Sequence, residues 1–186
     1  MTDKTNRLRS RQELASMFAD RCFAVGAEIG VYKGAFSKTI LLSNPQLEVL
    51  YSIDPWTDIS GNFVKSLYDE CCGCLSQFGS RSRIVVGSSP AEAEMFEDLS
   101  LDFVYIDADH LYLSAAKDLV AWWPKIKRNG IMSGHDYKDC CKAERSNLSQ
   151  PGECGVRRAV DEFALGLGLE VQVTWERCRS FWIVKL

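Results

Sequence analysis

The only two histidines of the 186-residue chain each stand beside carboxylates, in Asp107-Ala108-Asp109-His110 and in Gly134-His135-Asp136. An imidazole titrates near neutrality, so a histidine in a cleft can take a proton from a hydroxyl nucleophile. The plain alternative is that Asp109 and His110 cap a following helix, a task Asp performs routinely. A second group of residues suits ligand binding. The run Gly26-Ala27-Glu28-Ile29-Gly30-Val31-Tyr32-Lys33-Gly34 places glycines where a ligand can approach the backbone at the start of a helix. Its Gly30-x-x-x-Gly34 spacing differs from the G-x-G-x-x-G of nicotinamide and flavin binders. Glu28 would repel a pyrophosphate and suits a ligand that is cationic there. Asp54 closes the next apolar run, where a nucleotide fold keeps its ribose-binding acid; alone, it could equally cap a loop before Pro55.

These residues need a frame that brings them together, and the rest of the chain reads as one. Short apolar runs at 23–29, 49–53, 84–86, 101–106 and 130–133 alternate with helical stretches near 35–42, 63–78, 91–97, 113–123 and 156–167. Such runs read as strands buried on both faces, hence a parallel sheet with crossover helices. A first helix spans 10–20, with Ser10 and Glu13 in capping-box spacing and Leu14, Met17 and Phe18 on one face. Ser89-Pro90-Ala91-Glu92 predicts another helix start. At the end, 169–175 and 180–185 are strand-like and separated by only 176–179, too short for a crossover, so this pair must be antiparallel. The expectation is an α/β fold: a doubly wound, mostly parallel, seven-stranded sheet with a reversed last strand. Its strand ends collect Glu28, Asp54, Ser89, Asp107 and both histidines, and in open α/β sheets ligands sit beyond those ends.

Composition agrees with a single domain over 1–186, with the N-terminal helix within 1–21. Hydrophobic residues make up 46% and charged residues 25%, values of an ordinary soluble domain rather than of a disordered chain or a coiled coil. The net charge of −3 provides no broad basic footprint for nucleic acid or an anionic membrane. No apolar run is long enough to span a bilayer, and the polar start lacks a signal-peptide core. The 8 cysteines then read as reduced thiols of a cytoplasmic protein. The C-x-x-C spacing of Cys71 and Cys74 makes zinc conceivable, although no second such pair supports it. In Trp122-Trp123-Pro124, one Trp belongs to the core and the other to the core or a neighbouring subunit, leaving a homodimer open. The long irregular stretch 137–155, with Cys140, Cys141 and Cys154, is expected to be a lid or substrate loop.

Together, the first turn and Asp54 describe a site for an adenosine-containing, positively charged ligand, which S-adenosylmethionine is. Glu28-Ile29-Gly30-Val31-Tyr32-Lys33-Gly34, Ile53-Asp54-Pro55-Trp56, Ile106-Asp107-Ala108-Asp109-His110 and Gly134-His135-Asp136-Tyr137 resemble class I S-adenosylmethionine-dependent methyltransferases. The branch resembled is methyltransferase family 24, related to catechol and caffeoyl-CoA O-methyltransferases, and the likeness covers roughly 23–186.

The resemblance implies roles. Glu28 and Gly30, with Tyr32 in the same turn, would line the methionine moiety. Asp54 would take the ribose hydroxyls, Ser89 would sit near the adenine, and Asp107 would border the cofactor. Ser37 matches a serine that binds the cofactor carboxylate, although Ala35-Phe36 puts one extra residue before it. In metal-dependent relatives, the positions of Asp107, His135 and Asp136 hold one divalent ion, Mg²⁺ or Mn²⁺. The usual pair there is Asp-Asp or Asp-Asn, so His135 departs from the pattern and suits Mn²⁺, Fe²⁺ or Zn²⁺, or a site with no metal. His110 falls where the catechol enzymes place a lysine base, with Asp109 as the alternative base or a cofactor ligand.

The implied reaction is methyl transfer to a hydroxyl of a small molecule. Two other readings remain: a catalytically silent cofactor-binding or assembly protein on the same fold, and a nicotinamide-dependent oxidoreductase, which the glycine spacing disfavours.

Overall fold

A computed structural model describes residues 8–138 and 155–186. Seven strands form one sheet: β1 (Val25–Ile29), β2 (Val49–Asp54), β3 (Ser82–Val86), β4 (Leu101–Ile106), β5 (Ile126–Gly134), β6 (Gln172–Val173) and β7 (Phe181–Val184). Their order across the sheet is β3-β2-β1-β4-β5-β7-β6. The first five are mutually parallel, and β7 runs antiparallel to both β5 and β6. The expected architecture and its reversed last strand are both present.

Alternation along β4 shows how the sheet carries a core on each face. Phe103 and Tyr105 join Leu14 and Phe18 of α1 (Arg11–Asp20), Ile40 of α2 (Ala35–Ser43) and Leu75 of α3 (Lys65–Leu75). Val104 and Ile106 face the other way, against Leu119 and Trp122 of α4 (Tyr112–Trp122) and Val160 of α5 (Val156–Leu167). Phe18 stacks on Phe103 with ring centroids 4.0 Å apart. Gly26 must be glycine, since a Cβ there would lie 2.1 Å from the Phe103 ring.

Several boundaries differ from expectation. Ser10 caps α1 as predicted, accepting from Glu13 N, but the Glu13 carboxylate accepts from Arg9 N, one residue before the cap. β5 begins at the buried Ile126, well before the apolar run at 130–133, because the polar residues Lys127, Arg128 and Asn129 that follow are half-buried or exposed and carry no apolar signal. The hairpin strand β6 is only two residues long, as befits a solvent-facing edge. The helix expected at 91–97 is a single 3₁₀ turn, Ala91–Met95. Glu92 does not close a capping box there: its carboxylate lies where a Gly87 side chain would otherwise be. Trp122 is fully buried, and Trp123 packs on Phe163 of the same chain at 5.4 Å. The bulk of the predicted loop 137–155, with Cys140, Cys141 and Cys154, lies outside the described residues.

Candidate functional site

Adjacent strand tips are hydrogen-bonded beyond the ladders, which fixes the floor of the site. Gly30 N donates to Ile53 O at 2.9 Å, Asp107 N to Ile29 O at 2.7 Å, and His135 N to Ile106 O at 2.9 Å. Gly30 has φ +83°, and a Cβ on it would stand 2.3 Å from the Asp107 carbonyl oxygen. Only glycine fits there.

Asp54 organises the turn that follows. Its Oδ2 accepts from Val31 N at 2.8 Å and Tyr32 N at 2.9 Å, and its Oδ1 accepts from Trp56 N at 2.6 Å. Trp56 returns the connection by donating Nε1 to Tyr32 O at 2.6 Å. The carboxylate has about four acceptor positions, so one remains for a ligand. Above this floor lies a cavity of about 490 Å³, within the range of small-molecule sites. Of the predicted cofactor residues, Gly30, Tyr32, Asp54, Ser89 and Asp107 line it.

Glu28 and Ser37 do not. Both are buried beneath the turn, where Ser37 Oγ donates to Glu28 and lies 2.9 Å from Ser52 Oγ. Burial pushes the Glu28 carboxyl up to about 8, and the Ser37 hydrogen bond only partly offsets it. In this position Glu28 supports the first strand tip from below.

The histidines and their carboxylates converge at the tips of β4 and β5. His110 Nε2 is 3.1 Å from Asp136 Oδ2 and 3.7 Å from Asp107 Oδ1. His135 Nδ1 is 3.5 Å and 3.7 Å from the same two oxygens. Asp136 reaches into this group from a backbone at φ +48°, a left-handed conformation that costs a non-glycine residue about 1–3 kcal/mol and concentrates at functional sites. Asp107, with Asp136 and Asp109 also contributing, holds the His110 proton on above its ordinary range against the opposing effect of burial, although Asp136 is the nearer carboxylate. The hydrogen bond from His135, aided by the charges of both histidines and Lys138, lowers Asp136 to about 2.

Asp109 lines the same cavity. Its Oδ1 accepts from Leu111 N at 3.0 Å and its Oδ2 from Ser114 Oγ at 2.8 Å, so both oxygens fasten the entry to α4. Sequence reasoning missed Arg11. From the first turn of α1 its guanidinium lies 5.0 Å over the Phe36 ring and 3.6 Å from Asp107 Oδ2. The only signal was an arginine at the polar start of an amphipathic helix, which does not reveal what lies opposite.

Among the described residues, the one compact group of three or more metal-capable donors is Asp107, His110 and Asp136, with ligand atoms within 4.8 Å of one another. Thus His110 is nearer than His135 to completing the expected set. Cys71 is buried in α3, and the Cys74 thiol donates to Gly34 O at 3.6 Å; neither belongs to such a group.

A family model described as a methyltransferase domain matches residues 27–137, from the first strand to the residue after Asp136. The chain belongs to that family, methyltransferase family 24 of the class I S-adenosylmethionine-dependent methyltransferases. The match sets aside the nicotinamide-dependent alternative. No curated protein matches the sequence. Solved structures share the methyltransferase fold at low identity. The S-adenosylhomocysteine-bound methyltransferase PaMTH1 of Podospora anserina is 14% identical, with a TM-score of 0.69 over 95% of this chain and 78% of its own. The O-methyltransferase TomG of Streptomyces achromogenes, solved with S-adenosylmethionine, is 14% identical, with a TM-score of 0.66 over 95% of this chain and 80% of its own. An O-methyltransferase of Bacillus cereus, solved with S-adenosylhomocysteine, is 10% identical, with a TM-score of 0.66 over 98% of this chain and 84% of its own. Among the described residues of this methyltransferase, no helix is long and apolar enough to cross a membrane.

Proposed function

We propose that the protein methylates a hydroxyl of a small molecule, with His110 as the base. The observation that carries this reading is the position of His110 at the tip of β4, 3.1 Å from Asp136, beside the cavity that Asp107 borders.

S-adenosylmethionine supplies an electrophilic methyl group on a sulfonium, and transfer is an in-line displacement, so alignment provides much of the rate. The cavity residues fit this cofactor. Gly30 leaves its backbone open where any side chain would collide, and Asp54 retains an acceptor for ribose hydroxyls. Asp107, its charge shared with Arg11, borders the cationic end. With its Nε2–H donated towards Asp136 and Asp107, His110 takes the acceptor's hydroxyl proton at the other ring nitrogen, Nδ1, and the two carboxylates stabilise the resulting imidazolium.

Asp107 and Asp136 are the carboxylates that would hold a divalent ion, with His110 the histidine that completes the compact donor group in place of the expected His135; such an ion would lower the pKa of a hydroxyl bound to it and so supply the deprotonation otherwise given to His110. A mixed oxygen and nitrogen donor set suits Mn²⁺ better than Mg²⁺. The test is transfer of labelled methyl from S-adenosylmethionine to a panel of catechols and other small hydroxylated compounds. Transfer lost in His110→Gln with cofactor binding retained supports the reading. Cofactor binding with no transfer to any acceptor supports the silent, cofactor-binding alternative.

A further inference from the structure

Neither His110 nor Arg11 lines the cavity, yet each faces one oxygen of Asp107, which does. His110 Nε2 is 3.7 Å from Asp107 Oδ1, and Arg11 Nη1 is 3.6 Å from Asp107 Oδ2. The two side chains therefore stand within the span of one small molecule. With the cofactor in the cavity, the acceptor occupies this ground, because its hydroxyl must meet His110. Arg11 belongs to α1, outside the residues 27–137 that the methyltransferase model matches, so the family's motifs do not account for it.

The side chain is held in advance of any ligand. Its guanidinium lies 5.0 Å over the ring of Phe36, which is itself buried, so the plane of the fork is set by stacking. A guanidinium carries five N–H donors and no acceptor. At 3.6 Å the Asp107 contact is an ion pair rather than a hydrogen bond. No described residue accepts a hydrogen bond from this side chain, and 32% of it stays exposed. The fork thus keeps an edge for a planar carboxylate, which it binds through two parallel N–H···O bonds. A neutral acceptor would leave that edge to water.

We infer that Arg11 selects the acceptor: the substrate is a hydroxylated carboxylic acid whose carboxylate docks on the Arg11 fork while its hydroxyl faces His110. The charge of Arg11 offsets the Asp107 and Asp136 carboxylates, which would otherwise repel an acidic acceptor. Arg11 is therefore a specificity-determining residue, and this inference rests on the hydroxyl-methylation reading above.

The experiment measures kcat/KM for labelled-methyl transfer from S-adenosylmethionine to protocatechuate, salicylate and caffeate, each against its own primary amide. For the pair turned over fastest, wild type should prefer the acid by at least about tenfold, the scale of one charge-assisted contact. Arg11→Gln should bring acid and amide within about twofold, and Arg11→Lys, which keeps the charge without the fork, should fall between. Affinity for S-adenosylhomocysteine, titrated calorimetrically on the same preparations, should change less than about twofold. Equal wild-type rates on acid and amide overturn the inference while hydroxyl methylation stands. So does a preference for the acid that survives in folded Arg11→Gln. A folded Arg11→Gln that loses about tenfold in S-adenosylhomocysteine affinity gives Arg11 to the cofactor's own carboxylate and also overturns it. Wild type that binds S-adenosylhomocysteine but methylates none of these compounds and no neutral catechol overturns the hydroxyl reading itself, and this inference with it.

Discussion

His110 Nε2 stands 3.1 Å from Asp136 Oδ2, linking the loop after β4 to the tip of β5 across the mouth of the cavity. Neither residue is near the other in sequence; the parallel pairing of β4 with β5 brings them together. If this pair performs the proton transfer, His110→Gln should lower kcat by roughly 10²–10⁴-fold, the usual contribution of a general base. Affinity for S-adenosylhomocysteine should change less than about twofold. Steady-state kinetics with titration of the same preparation separates the two effects, and a parallel loss of binding would contradict the assignment.

Chelation tests the carboxylates. Protein treated with EDTA should still bind cofactor and should lose most of its methyl transfer. Mn²⁺ should restore turnover at a lower concentration than Mg²⁺, because an imidazole belongs to the donor set. Unchanged turnover after chelation would limit Asp107 and Asp136 to supporting the histidines.

Gly30→Ala tests the strand-tip floor. The new methyl group would fall 2.3 Å from the Asp107 carbonyl oxygen, at a backbone φ of +83°. Left-handed strain alone costs about 1–3 kcal/mol, and a chain of this size loses about 2–4 °C of Tm per kcal/mol. Thermal unfolding should therefore show a Tm lower by several degrees, together with weakened cofactor binding. A neutral Gly30→Ala would mean that the tips of β1 and β4 are further apart than described.

The sequence alone yielded the sheet, its reversed strand and most of the cavity lining, because buried strands announce themselves as apolar runs and their tips follow in order. It failed where a side chain's partner comes from a distant segment. Glu28 reads as a ligand-facing acid, but strand alternation and the Ser37 hydroxyl turn it inwards. Ser89 reads as a helix cap, but it is committed to Asp118 on α4, a residue that looks like any solvent-facing acid of an amphipathic helix. Arg11 could be placed over Asp107 only once α1 was docked against α2. The grouping of His110 with Asp136 depends on a left-handed backbone at Asp136, which its residue type does not announce.

The buried Glu28 predicts a pH dependence of stability. Folded protein keeps this proton up to about 8, whereas the unfolded chain releases it near 4.5. Its contribution is therefore fully present below 4.5 and is lost as pH rises towards 8, by at most about 1.4 kcal/mol per pH unit. Asp107 and Asp54 oppose its ionisation while Arg11 and Ser37 favour it. In Glu28→Gln, which keeps an acceptor for Ser37, the fall in urea midpoint between pH 5 and pH 8 should be smaller than in wild type. Parallel curves for the two proteins would contradict the burial argument.

The most direct test of the whole account is calorimetric titration of the folded wild-type chain with S-adenosylhomocysteine. Saturable binding at one site per chain is expected, weakened at least about tenfold when Asp54→Ala removes both the ribose acceptor and the anchor of the first turn. Folded protein that takes up no S-adenosylhomocysteine would contradict it.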